Sequence, residues 1–215
     1  MKQVEAEKYN IAWFKLAECI ARREKERALG VYRLLSHSFD NTALVHQLQG
    51  DILLAFGDSA SAIEQFMMAG QLYEEQGQMM HAAIVYDQVV SLEAEHEQAL
   101  TKLVDLYLNM QHHERMMHCI ELLCMRLLKK ELYFQLFAYI KQIQLSMSQK
   151  AKLLMRVCAR ALPDSTIDQQ VKYQLVQHAL DRLMQDSDSL QVFLKKLEVL
   201  DERCWQFAYE YIKQD

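Results

Sequence analysis

A single proline, Pro163, and five glycines serve 215 residues. β-Sandwiches and barrels need such turn formers at nearly every strand connection, so the shortage excludes them and leaves an all-α chain. Long apolar runs are missing too. Nothing approaches the roughly 20 consecutive apolar residues of a membrane span, and the opening MKQVEAEKYN lacks the apolar stretch of a signal peptide. The cysteines (Cys19, Cys119, Cys124, Cys158, Cys204) are odd in number and contain no C-x-x-C. That excludes a disulfide framework and fits buried thiols in a reducing compartment, so a cytoplasmic protein is the expectation. The motifs G-x-x-x-x-G-K-[ST], G-x-G-x-x-G and G-x-S-x-G are also absent. No nucleotide or hydrolase site is therefore expected, no cofactor, and no enzymatic activity.

What the chain does have is apolar content, 51% by residue, which is ample for a packed core. Charge is unevenly distributed. Residues 1 to 42 carry a net +2, residues 43 to 125 a net −10 and residues 126 to 215 a net +3, so the middle third is acidic with only Lys102 and Arg115 as cations. The basic runs at Arg22 to Arg27, Arg126 to Lys130 and Lys195-Lys196 are short and mostly interrupted by acids or apolar residues, and an acidic chain repels phosphate. Nucleic acid is not an expected partner.

Apolar spacing at the 3.6-residue period predicts twelve helices, at about 3–22, 25–37, 42–56, 59–75, 79–92, 96–109, 113–129, 131–145, 149–161, 166–185, 188–200 and 202–213. Stops are expected at Gly57-Asp58, Gly77, Asn109 and Leu162-Pro163-Asp164, because Gly and Asn tolerate a left-handed cap and Pro cannot continue a helix.

Many short helices with short links suggest a stack, and the chain repeats itself. Gly50, Leu53, Gly57-Asp58, Ala62, Phe66 and Ala69 form one set of small, large, turn, small, aromatic and small positions. A second set starts 20 residues later with Gly70, Tyr73, Gly77, Ala82, Tyr86 and Val89. Tyr107 and a turn at Gln111 continue it, Phe134, Phe137, Ala138 and Leu154 extend it weakly, and Trp13, Leu16, Ala17, Ile20, Ala28, Tyr32 and Leu35 precede it. Small residues let two antiparallel helices approach, and large ones fill the seam. Helix 59–75 answers both to the second-helix pattern (Ala62, Phe66, Ala69) and to the first-helix pattern (Gly70, Tyr73).

The pattern resembles the tetratricopeptide repeat (TPR). The resemblance covers about residues 10 to 164 and implies a right-handed α-solenoid of antiparallel helix pairs. The chain is accordingly divided into a TPR-like array, 1–164, and a C-terminal helical cap or second helical unit, 165–215. It also implies a non-catalytic scaffold, adaptor or chaperone that holds a protein or peptide on its concave face. The family positions that point there fall on Gln47, Asp51, Thr101 and Asp105. Members that clamp a terminal carboxylate use Lys, Arg and Asn, so Gln, Asp and Thr argue against that ligand.

To these the acid distribution adds Glu64 and Glu74, and the methionine-rich stretch adds Met67 and Met68. Eight of twelve methionines lie between Met67 and Met125, where one member of each doublet is expected to face a helix seam, and exposed thioethers adapt to varied ligands. Gln47, Asp51, Glu64, Met67, Met68, Glu74, Thr101 and Asp105 are the candidate partner-binding residues, for a partner with a basic segment. A peptide-sensing regulatory or secretion-associated module is the alternative, and an RNA-binding repeat a more remote one. His112, His113, His118, Glu114 and Cys119 cluster, but His113 and His118 sit five residues apart, roughly 140° around a helix, so they do not make a helix-borne zinc pair.

Overall fold

The computed structural model describes residues 2–143, 145–184 and 186–214, with side chains from residue 11 onward apart from Met147 and Gln214. Among the described residues every regular element is an α-helix. The protein is all-α, and it divides into two compact units, Met1–His112 and His113–Asp215. The boundary at 164 marks where the repeat pattern ends; the compact units part at His112.

The first unit holds α1 (Lys2–Ala21), α2 (Lys25–Ser36), α3 (Thr42–Ala55), α4 (Ser59–Glu75), α5 (Met79–Leu92) and α6 (Glu97–Asn109), each packed on the next. Its seams are set by the residues that the repeat pattern singles out. An added Cβ at Gly50 would stand 2.5 Å from Phe66 Cε1, and one at Gly70 would stand 2.5 Å from Tyr86 Cε1. Both rings are fully buried. Helix α4 therefore gives its ring, Phe66, to α3 and its glycine, Gly70, to the ring of α5. Its double match to first-helix and second-helix patterns reflects two real seams.

The second unit holds α7 (His113–Lys129), α8 (Tyr133–Gln142), α9 (Met147–Ala161), α10 (Gln169–Leu183), α11 (Ser187–Leu200) and α12 (Glu202–Gln214). Here packing skips along the chain: α7 lies on α9, α9 on α10, and α12 returns to both α10 and α11. Cys158 and Cys204 are buried in this unit, where desolvation pushes the Cys204 thiol up to about 12 and raises that of Cys158 as well. Such thiols stay protonated and behave as small apolar side chains.

Three helix starts differ by two residues or more from the spacing-based expectation, among them that of α9, which begins at Met147 where Ser146 closes a capping box with Gln149. Helix α8 begins at Tyr133 because Glu131 turns left-handed, at φ 57°. Helix α10 begins at Gln169 because Asp164 holds Thr166 in a side-chain turn, its Oδ1 accepting from the backbone N–H at 2.9 Å and the hydroxyl at 2.7 Å. Asp168 then caps the helix by accepting from the Gln170 N–H at 2.7 Å.

Five helices end in the same way. Arg23, Gly57, Gly77, Gln111 and Glu131 have positive φ, and the N–H of the residue after each donates to a carbonyl five residues back, as His112 does to Tyr107 at 2.8 Å. This is the Schellman closure. The left-handed residue is thus Gln111, while Asn109 is the last helical residue of α6. Three of the five carry a Cβ, which crowds the following carbonyl at a cost of about 1 kcal/mol. Gln111→Gly and Glu131→Gly are accordingly expected to stabilise by about 0.5–1 kcal/mol in urea unfolding. Arg23→Gly is expected to gain less, because it also removes the guanidinium that donates to the Ala55 carbonyl at 2.7 Å. Unchanged midpoints for Gln111→Gly and Glu131→Gly would show that these turns relax around the side chain.

Candidate functional site

Helices α4 and α6 flank a groove of about 760 Å³ floored by Tyr86 of α5. Met67, Met68 and Gln71 line it from α4, and Thr101, Lys102 and Asp105 from α6. Steps of three and four residues place each set on one helix face. The α6 face is aimed by its start, where the His96 Nδ1 accepts from the Ala99 N–H at 3.2 Å. Its opposite stripe, Leu100, Leu103, Leu106 and Tyr107, is buried. Of the candidate residues, the groove thus brings together Met67, Met68, Thr101 and Asp105.

Glu74 sits beside them in a different role. Its Oε1 accepts from the Tyr86 hydroxyl at 2.6 Å, and its Oε2 lies 3.2 Å from Lys102 Nζ. Burial and the adjacent carboxylate raise the Tyr86 phenol above its ordinary range, so the hydroxyl keeps its proton. One carboxylate therefore ties α4 to α5 and α6, and its charge is largely met by Lys102. Thr101 is also engaged, donating to the Glu97 carbonyl at 2.9 Å. Asp105 is exposed, and among the described residues no cation pairs with it.

Gln47, Asp51 and Glu64 are not among the residues that line this groove. Gln47 on α3 accepts from the Tyr73 hydroxyl at 2.9 Å. Glu64 is an exposed residue of α4. Asp51 is exposed as a residue, yet desolvation of its carboxyl raises its pKa. The folded chain thus binds the Asp51 proton more tightly than the unfolded chain does. The stability that its neutral form contributes is present in acid and lost as pH rises through the raised value.

The methionine doublets differ from one another. Met67 is half-buried and Met68 is 47% exposed, whereas Met79 and Met80 are both exposed and Met116 and Met117 both buried. Only the first doublet has members of different exposure, and both of them line the groove. His112, His113, Glu114 and His118 are exposed while Cys119 is buried, and among the described residues no three His, Cys, Asp or Glu side chains converge as metal ligands. No described helix is long and apolar enough to cross a membrane.

The acid count points past Lys102, and the repeat pattern marks Tyr86 as a seam residue without placing it in a groove. Lys102 is one of only two cations in the acidic third, a rarity that marks it in the sequence. No protein-family model matches the chain, and no curated protein sequence matches it.

Proposed function

We propose that the chain is a non-catalytic, TPR-like protein-interaction module that holds a partner segment in the α4/α6 groove. The observation that supports this reading is the placement of Met67 and Met68 opposite Thr101 and Asp105 on one groove. Thioethers supply adaptable apolar contact. Asp105 supplies a carboxylate that favours a basic residue on the partner. The Glu74–Lys102 pair fixes the groove's base instead of drawing the ligand in. A reducing, cytoplasmic setting belongs to the same reading, supported by five cysteines that form no disulfide among the described residues.

The test uses synthetic amphipathic peptides with Lys or Glu on the polar face, measured by fluorescence anisotropy against the full chain. Asp105→Lys is expected to weaken the Lys peptide about fivefold to tenfold, mainly through the association rate, with the difference shrinking as salt rises. Met67→Ala with Met68→Ala is expected to weaken it at all salt concentrations. Equal binding of both peptides, or indifference to both variants, would remove the groove from consideration.

A further inference from the structure

Gly30, Gly50 and Gly70 recur at 20-residue intervals along α2, α3 and α4. Helical glycine weakens a helix relative to alanine, so each position invites a packing reason. Gly50 and Gly70 have one, since Phe66 and Tyr86, each 16 residues onward, occupy the space of the missing Cβ. Gly30 has none within the described chain: nothing lies within 4 Å of the place its Cβ would take. The residue 16 onward is His46, whose Nδ1 is 2.9 Å from Gln65 Oε1.

Gly30 opens instead onto a groove of about 670 Å³ along α1 and α2. Lys15 and Cys19 on α1, with Arg22 in the turn after it, line it together with Gly30, Val31 and Leu34 on α2. Lys15 and Cys19 are four residues apart, and Gly30 and Val31 stand four and three before Leu34, so two helix faces form the walls of one trough, the shape that accepts a third helix or an extended segment. Leu34 is 76% exposed. The lining holds four cations and two carboxylates. Arg22 is met by Glu18 at 2.6 Å and Arg27 by Glu24 at 2.7 Å. Among the described residues, no carboxylate forms an ion pair with Lys15 or Arg33.

We infer that this groove receives an acidic segment of a partner protein, which seats an aromatic side chain over Gly30 and sets carboxylates against Lys15 and Arg33. The ring would fill at Gly30 the space that Phe66 and Tyr86 fill at Gly50 and Gly70. Apolar contact with Val31 and Leu34 accompanies it, and the two unpaired cations select the sign of the flanking charge. The surface is distinct from the α4/α6 groove in position and opposite in charge, and the inference stands independently of the function proposed above.

The experiment compares three labelled peptides on the full chain: one Phe flanked by Glu residues, the same peptide with Ala for Phe, and the same with Lys for Glu. The Phe/Glu peptide is expected to bind about tenfold more tightly than either variant. Gly30→Leu fills the seat and should abolish the preference for Phe over Ala while the thermal transition stays cooperative. Lys15→Glu with Arg33→Glu should reverse the preference for Glu over Lys. If Gly30→Leu disturbs folding, Leu34→Ser on the same exposed wall serves instead and should weaken the Phe peptide selectively. Equal binding of the Phe and Ala peptides, or a preference unchanged by the variants, would overturn the inference. So would tighter binding of the Phe/Glu peptide to Asp105→Lys without any effect of Gly30→Leu, since that places the peptide on the other groove.

Discussion

Gly50→Ala and Gly70→Ala are expected to destabilise the first unit, although alanine is the better helix former. The propensity gain of about 1 kcal/mol at a helix interior is opposed by overpacking, which costs about 1–3 kcal/mol. The geometry decides which wins. The new methyl would sit 2.5 Å from a ring carbon in both cases, and the rings of Phe66 and Tyr86 are fully buried, so neither can swing into solvent. Tyr86 is held further by its 2.6 Å hydrogen bond to Glu74, so Gly70→Ala is expected to lose more than Gly50→Ala. Leucine at either site should cost about 3 kcal/mol or more, at the upper end for overpacked cores. Gly30→Ala is the internal control: with open space at its Cβ it should stabilise by about 0.5–1 kcal/mol. Denaturant midpoints of the five variants check the series. If all three glycines accept alanine alike, the rings yield more readily than their burial implies and the seam account is wrong.

The same contacts explain which features of the fold are legible in the sequence. Gly50 and Gly70 stand out because glycine is scarce and each is followed at a fixed interval by an aromatic residue, so spacing alone locates two seams. Most helix bounds are legible for a related reason: left-handed closure at Gly57 and Gly77 leaves a chemical mark. It leaves none at Arg23 and Glu131, where an ordinary side chain carries the strained φ, and apolar spacing therefore starts α8 two residues too early. The candidate site is legible only in part. Thr101 and Asp105, picked out through the repeat resemblance, lie on one face of α6 in the α4/α6 groove, yet Gln47 and Asp51 on α3 do not line it. A sequence position says which helix face a residue occupies, but not which neighbouring helix leaves that face open. The charge count likewise cannot show that Glu74 is matched by Lys102, because the two lie on different helices and meet only through packing.

Lys172 is the other large expected effect, and its sequence signal is plain among its neighbours. It stands on α10 in line with Leu175, Val176, Ala179 and Leu183, an apolar stripe on which a lysine is out of place. The structure buries it to 6% exposure and gives its charge two tasks. Its Nζ donates to the Leu162 carbonyl at 2.7 Å, where α9 ends and Pro163 prevents the helix from continuing. A cation there also meets the negative end of the helix dipole. On the other side lies Asp201 Oδ2 at 3.8 Å, in the carboxylate whose Oδ1 accepts from the Cys204 N–H at 3.0 Å and caps α12. One buried ammonium thus joins the end of α9 to the start of α12. Lys172→Met keeps the aliphatic stem but leaves a buried carbonyl without its donor and a mostly buried carboxylate without its cation. Loss of one partner from a buried pair is far more damaging than loss of an exposed one, so destabilisation of about 3 kcal/mol is expected. Breaking the exposed Arg22–Glu18 pair should cost less than about 1 kcal/mol. Asp201→Asn retains a capping oxygen but leaves the buried Lys172 ammonium with the Leu162 carbonyl alone, so by itself it should also destabilise, by less than Lys172→Met does. Added to Lys172→Met, it removes the uncompensated charge and should restore part of the lost stability, giving a positive coupling in a double-mutant cycle. Strict additivity of the two substitutions would mean that Lys172 acts through the Leu162 carbonyl alone. A Lys172→Met variant as stable as the parent would mean that its burial carries no structural role.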